Sequence, residues 1–335
     1  MFCLVFACSQ GGDAGDPDPG DRDYIPPEWT APDLAYPREA YTPSEVCGYS
    51  QAPGQFAGSG SYNIAQNAQS LLGFPSGGGT VQPNAEGIVS LGMAGGYVCV
   101  KFDPPVENHP DNIGGYDFIV FGNAYWTGAD SSGTWQEPGV IYVMKDENGD
   151  GTADDEWYLI PGSHLTSPDV GVTVEYSLTD ETVPPPASYK DDWWPYGSSS
   201  PSIEYQNVFL LPEEAFAASP PSWGYADITP VLQCGDLSGA ERNGDNDNLD
   251  GAEDYPGIDP VYFYTVPDSR LTEGVDPGSG GGDAVDIGWA VDPETFAAVQ
   301  LDEISWIKIV SASTRTGALG DQSPEIDAVT RVRRE

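Results

Sequence analysis

Positive charge is what this 335-residue sequence has least of: twelve Lys and Arg stand against fifty-three Asp and Glu, a formal net charge of -41. A surface of that sign repels phosphate, which excludes a nucleic-acid interface and argues against docking on anionic lipid by charge. The chain also repels itself, so it is compact most readily where divalent cations or salt screen the repulsion. That agrees with an extracellular, calcium-replete or saline setting; a solvated, halophile-style surface with no partner is the alternative. Histidine is nearly missing as well. His109 and His164 are the two present, and both read as loop residues outside any zinc or nucleophile motif. No Gly-x-Ser-x-Gly elbow supports a Ser-His-Asp triad. With fifty-three acids, adjacent pairs are inevitable, so Asp191-Asp192 and Asp302-Glu303 read as solvated faces or cation ligands before they read as the acid and base of a glycosidase. No apolar run is long enough to span a membrane.

Helical periodicity is also scarce, and residues 64–72 and 212–218 are the segments that read as helices. Strands dominate instead. In residues 97–102, Val98, Val100 and Phe102 share one face and Tyr97, Cys99 and Lys101 the other. Residues 118–121 form a short apolar run, and 140–144, 157–160, 304–310 and 326–332 read as further strands. Val285, Ile287, Trp289 and Val291 fall on one side of a strand opposite Asp286 and Asp292. Trp289 and Trp306, in phase with apolar positions, are read as core, and Asp327 as a buried hydrogen-bonding residue. Many strands, few helices, 41 Gly and 31 Pro point to an all-β antiparallel sandwich or jelly roll with long loop insertions. The organisation reads as a lipoprotein leader over 1–8, an acidic Gly/Pro-rich tether over 9–40, and a single β-sandwich domain over 41–335 with an insertion at about 184–283.

The leader reading rests on Val5-Phe6-Ala7-Cys8, a lipobox in which a small residue precedes the cysteine to be cleaved and lipidated. The apolar stretch before Cys8 is shorter than a full signal peptide, so the signal is expected to begin upstream. Cys47, Cys99 and Cys234 then remain in the mature chain. An exported protein permits one disulfide among them and one leftover thiol, with the pairing open.

Two segments name a ligand. Residues 146–156 place Asp146, Asn148, Asp150 and Asp154 at positions 1, 3, 5 and 9 of a calcium loop, with Gly151 at the sharp turn and the Thr152 carbonyl at position 7. Trp157 stands where an EF-hand has its bidentate Glu, so Asp155 or Glu156 is expected to complete the shell. The loop also joins two strands, which makes the ion a brace. A second copy runs from Asn246 through Asn248, Asp250, Ala252 and Asp254. Turns that bind no metal are the alternative for both. A third segment, Trp193-Trp194-Pro-Tyr196, offers aromatic faces on a long loop, either a stacking platform for a glycan or a staple holding the loop to the sandwich. Trp126 and Trp135 bracket another polar loop, a further candidate for the same rim.

One further pattern lies in the order of motifs. It runs from Gly77-Gly-Gly-Thr80 through Val89-Ser-Leu-Gly92, Gly96-Tyr-Val-Cys-Val-Lys-Phe-Asp103, Tyr116-Asp-Phe-Ile-Val-Phe-Gly-Asn123 and Glu137-Pro-Gly-Val140. It continues with Asp155-Glu-Trp-Tyr158, Val285-Asp-Ile-Gly-Trp-Ala-Val-Asp292, Ile304-Ser-Trp-Ile-Lys-Ile309 and Glu325-Ile-Asp-Ala-Val329. This order, across about residues 70–330, resembles a family of bacterial cell-surface proteins with a galactose-binding-like β-sandwich. The resemblance implies an exported jelly-roll protein and no defined substrate. Together these readings predict a Ca2+-binding cell-surface lipoprotein, attached to the membrane through its lipid alone. Its expected role is a non-catalytic module for a glycan or other small extracellular ligand. A glycan hydrolase or lyase, or a nutrient-capture subunit working with a surface protein partner at the outer membrane, is the alternative.

Overall fold

The computed structural model describes residues 38–73, 87–112, 115–126, 134–163, 169–178, 193–211, 221–230, 282–315 and 321–332. Cys8 and the lipobox, the expected helix at 212–218, Cys234 and the whole second acidic loop (Asn246, Asn248, Asp250, Ala252 and Asp254) lie outside them.

The strands are β1 (Glu45–Ser50), β2 (Val89–Ser90), β3 (Tyr97–Glu107), β4 (Phe118–Gly122), β5 (Tyr125–Trp126), β6 (Thr134–Trp135) and β7 (Gly139–Met144). They continue as β8 (Tyr158–Ile160), β9 (Asp169–Ser177), β10 (Ser202–Leu210), β11 (Tyr225–Ala226), β12 (Asp283–Val285), β13 (Glu303–Ser311) and β14 (Glu325–Arg331). All pairings among the described strands are antiparallel. One sheet runs β1-β3-β13-β7-β11, with β8 also on β7, and a second runs β12-β4-β14-β2. The pairs β9/β10 and β5/β6 form separate ribbons. The protein is an all-β sandwich.

Alternation decides which side chains meet between the sheets. Val98, Val100 and Phe102 of β3, Ile141 and Val143 of β7, and Ile304, Ile307 and Ile309 of β13 face Phe118 and Val120 of β4 and Ile326 and Val329 of β14 in one core. The other face of β4 is covered as well: Ile119 and Phe121 pack with Tyr41, Ala328 and Val332. A strand buried on both sides has no reason to alternate, which is why residues 118–121 read as one apolar run. Irregular register sets the odd positions. A shift between Ile326 and Ala328 puts Ile326 and Val329 on the same side, and one between Ile304 and Trp306 turns Trp306 outward. There it is buried with Cys99 and Met144, so Trp306 is core, though of an outer cluster.

Cys47 and Cys99 form the disulfide. Cys47 sits at a register shift of β1 beside β3, and the two Cα atoms are 5.3 Å apart. One α-helix is present among the described residues, Ile64–Leu71, begun by Asn63, whose Oδ1 accepts the Ala65 N–H at 3.0 Å. No described helix is long and apolar enough to cross a membrane.

The strand expected through Val291 stops at Val285. Asp286 caps a short 3-10 turn over Ile287–Trp289, its carboxylate accepting the Gly288 N–H at 2.6 Å, and buried Asp117 accepts the Ile287 N–H at 2.8 Å. Trp289 is therefore half-buried at the edge of the main core, against which it packs, set between Tyr116 at 6.0 Å and Trp223 at 5.3 Å. Side-chain acceptors at Asp117 and Asp286 override the alternation that a strand would follow.

Candidate functional site

The first acidic loop joins β7 to β8. Its carboxylates organise the backbone: Asp146 accepts the N–H groups of Gly149 at 2.8 Å and Gly151 at 3.0 Å, Asn148 that of Asp150 at 2.8 Å, and Asp150 that of Thr152 at 2.8 Å. Asp150 also takes the Thr152 hydroxyl, while Asp155 accepts the Glu147 N–H at 2.9 Å and Asn148 reaches Asp154 at 3.4 Å. Gly149 and Gly151 have φ of 73° and 75°, the left-handed turn such a loop needs. Lys101 of β3 ties the loop to the sheet, donating to the Gly151 carbonyl at 2.8 Å. Among the described residues no three His, Cys, Asp or Glu side chains are grouped to hold a metal. The loop's donors are nonetheless oxygens of the type and order that a hard cation takes. Asp146, Asn148, Asp150, Asp154 and the Thr152 carbonyl are the ones that fit; Glu156 lies beside Tyr158, whose hydroxyl donates to it at 3.3 Å.

Of the two readings of Trp193-Trp194-Pro-Tyr196, platform and staple, burial of both indoles favours the staple. Trp193 and Trp194 are 6% and 7% exposed and pack with Ala52, Met93 and Tyr176. The Trp193 indole donates to Asp321 at 2.6 Å, and its carbonyl accepts the Gly54 N–H at 2.9 Å. Burying two indoles removes a large apolar area from water, which fixes the loop and leaves no free faces there. Of the three residues only Tyr196, at 53% exposure, presents its ring to solvent.

The densest unusual chemistry lies elsewhere, at the end of the sandwich where β4, β11, β12 and β14 meet. Four buried carboxylates gather there: Glu137, Asp227, Asp283 and Glu325. Asp227 organises the group. It has φ of 60°, a strained left-handed conformation for a non-glycine residue. Its Oδ1 accepts the Asn123 N–H at 2.6 Å and its Oδ2 the Glu325 N–H at 3.0 Å. Glu325 Oε2 accepts from the Asn123 amide at 2.7 Å. Glu137 Oε1 accepts the Ser323 N–H at 3.3 Å, and the Trp135 side chain donates to the same carboxylate. Asp283 Oδ2 accepts the Ile228 N–H at 3.1 Å.

Burial raises all four. Asp227 is pushed up to about 7 despite its N–H donors. Burial and then the charge of Asp227 push Glu325 up to about 8. Glu137 is driven well above the carboxylate range by burial and by the charges of Glu325 and Asp227, and Asp283 by burial above all. The groups acting on them, among the described residues, include no Lys, Arg or His. Glu325 is 3% exposed, and its Oε1, like Asp283 Oδ1, has no hydrogen-bond partner among the described residues.

Aromatic rings flank the cluster. Tyr125 of β5 pairs across the ribbon with Trp135 of β6. Burial, then Glu137 and Glu325, raise the Tyr125 phenol; burial, then Glu325, raise Tyr62. Tyr62 stacks on Phe56 at 4.8 Å, and Phe56 has φ of 62°. All four rings are half-buried. A serine relay connects the two parts: the Ser90 hydroxyl donates to the Gln55 carbonyl at 3.1 Å and meets the Ser323 hydroxyl at 2.6 Å.

Asn123, Glu137 and Glu325 stand inside the ordered motifs of the sequence, but spacing gave them no role. Asp227 and Asp283 lie far from them along the chain, and only the sheet order brings the five together. No protein-family model matches this sequence, and no curated protein matches it.

Proposed function

We propose that this protein is an exported, lipid-anchored β-sandwich, braced by calcium at residues 146–155, that retains a sugar or similarly polar small extracellular ligand without turning it over. One observation carries the binding role: a buried carboxylate oxygen, Glu325 Oε1, stands without a partner among the described residues, in a group whose charge acts on the half-buried Tyr62 and Tyr125. An unpaired buried acceptor costs stability, and sites that hold such groups are sites that a ligand completes. Aromatic faces beside polar acceptors suit a sugar, whose ring stacks while its hydroxyls donate. The Cys47–Cys99 disulfide supports an oxidising compartment. At the acidic loop, calcium would draw together carboxylates that otherwise repel and stiffen the β7–β8 connection.

A second reading has one observation in its favour. Burial and then the charge of Glu325 raise Glu137, and a carboxyl group held protonated near neutral pH is what the general acid of a glycan hydrolase needs. A glycan panel separates the two. Saturable retention without products supports the module, release of shortened chains supports the enzyme, and neither retention nor cleavage in any member sinks both.

A further inference from the structure

The carboxylates at Glu137, Asp227, Asp283 and Glu325 carry up to four negative charges, and among the described residues no basic side chain acts to offset them. Buried charges of one sign must be neutralised, by protons or by a cation that enters with a ligand. The hydrogen bonds decide which cation fits. Both oxygens of Asp227, one of Glu137 and one of Glu325 are already engaged by N–H donors. A calcium ion seeks six to eight oxygens; an ammonium needs three acceptors at most and is further held by aromatic faces. Glu325 Oε1 is open as an acceptor, Asp227 and Glu137 are the carboxyl groups beside it, and Glu325 acts on the phenols of Tyr62 and Tyr125, with Phe56 stacked on Tyr62 and Trp135 paired with Tyr125.

Resting on the reading of this cluster as a ligand seat, we propose that the group it receives is a primary ammonium, as on a 2-amino sugar, donating N–H to Glu325 Oε1. One proton otherwise shared among Glu137, Asp227, Asp283 and Glu325 leaves as the ammonium enters, so the charge of the cluster is unchanged. The phenols of Tyr62 and Tyr125, the other titratable groups facing them, stay neutral. Binding therefore releases a proton and favours an amine over its neutral counterpart.

Isothermal titration of glucosamine, N-acetylglucosamine and glucose near neutral pH tests this, in high salt so that the diffuse attraction of an acid-rich surface is screened. Glucosamine is expected to bind with proton release, read from the difference between two buffers of unlike ionisation enthalpy. Glucose and N-acetylglucosamine are expected to be rejected. Glu325→Gln keeps the shape and is expected to weaken glucosamine by about tenfold or more, the loss of one hydrogen bond to a charged group. Glu137→Gln, a second variant that keeps its volume, is expected to weaken it as well while circular dichroism stays unchanged. Equal binding of all three sugars, lost in Glu325→Gln, would keep the seat and overturn the ammonium. Binding of none, or displacement of glucosamine by calcium at Glu325, overturns it too. Glucosamine binding that both variants leave intact removes the cluster from the site altogether.

Discussion

Asp227 reaches the backbone of Asn123 through space that Gly122 leaves open. The Asn123 N–H donates to Asp227 Oδ1 at 2.6 Å, and a Cβ on Gly122 would stand 2.4 Å from that same oxygen. The glycine is required by the close approach of a carboxylate, at the point where β4 ends.

Gly122→Ala should therefore displace Asp227, whose backbone and side chain both crowd the added methyl. The expected loss is about 1–3 kcal/mol of stability, the cost of overpacking. Denaturant unfolding measures it, and a variant as stable as the parent would show that Asp227 has room to move.

The carboxylate cluster sets the pH dependence. Asp227 and Glu325 lie at about 7 and about 8 in the folded chain, against ordinary values near 4 when unfolded. Between roughly pH 4 and pH 8 the folded state thus binds more protons than the unfolded state, so this contribution to stability falls as pH rises through that window. Melting temperatures should decline from pH 5 to pH 8.5, by more than in Glu325→Gln, where an amide replaces the acid. Above pH 8 that variant should be the more stable protein while losing its ligand. Parallel pH curves for the two proteins would show that Glu325 does not titrate as described.

Calcium should raise the melting temperature and a chelator lower it, with Asp150→Ala removing most of the difference because Asp150 turns the loop at Thr152. Identical melting with and without the ion would exclude a bracing site in the described loop.

Trp193→Ala should cost roughly 3–5 kcal/mol, as expected for deleting a buried indole. Its ring packs against Trp194 at 5.8 Å and Tyr176 at 6.3 Å. If stability is kept and ligand retention is lost instead, the ring is a binding face after all.

Cys47 and Cys99 close a loop of 52 residues. Replacing both with Ala should destabilise the protein by roughly 2–4 kcal/mol through the freed unfolded chain. Unchanged chemical unfolding under reducing and oxidising conditions would contradict the bond.

The fold class was open to reading because strand alternation is local: Val98, Val100 and Phe102 announce their shared face within six residues, and the later core confirms it. The loop at Asp146 was equally readable, since its donors follow one another along the chain and its flanking strands lie beside it. Trp289 and Trp193 resisted the same treatment. Both are large aromatics near turns, and burial of each depends on what packs over it: a capped turn lifts Trp289 outward, whereas Ala52, Met93 and Tyr176 close over Trp193.

Sequence alone, then, determined a β-rich, acid-surfaced chain with an oxygen-lined turn between two strands, because period, charge and turn chemistry are properties of neighbouring residues. Tertiary structure decided which cysteines pair and which acids become unusual. Asp227 and Glu325 are 98 positions apart, and two among fifty-three acids differ from the rest only once β4, β11 and β14 exclude water around them. Burial, not residue type, makes them a candidate site.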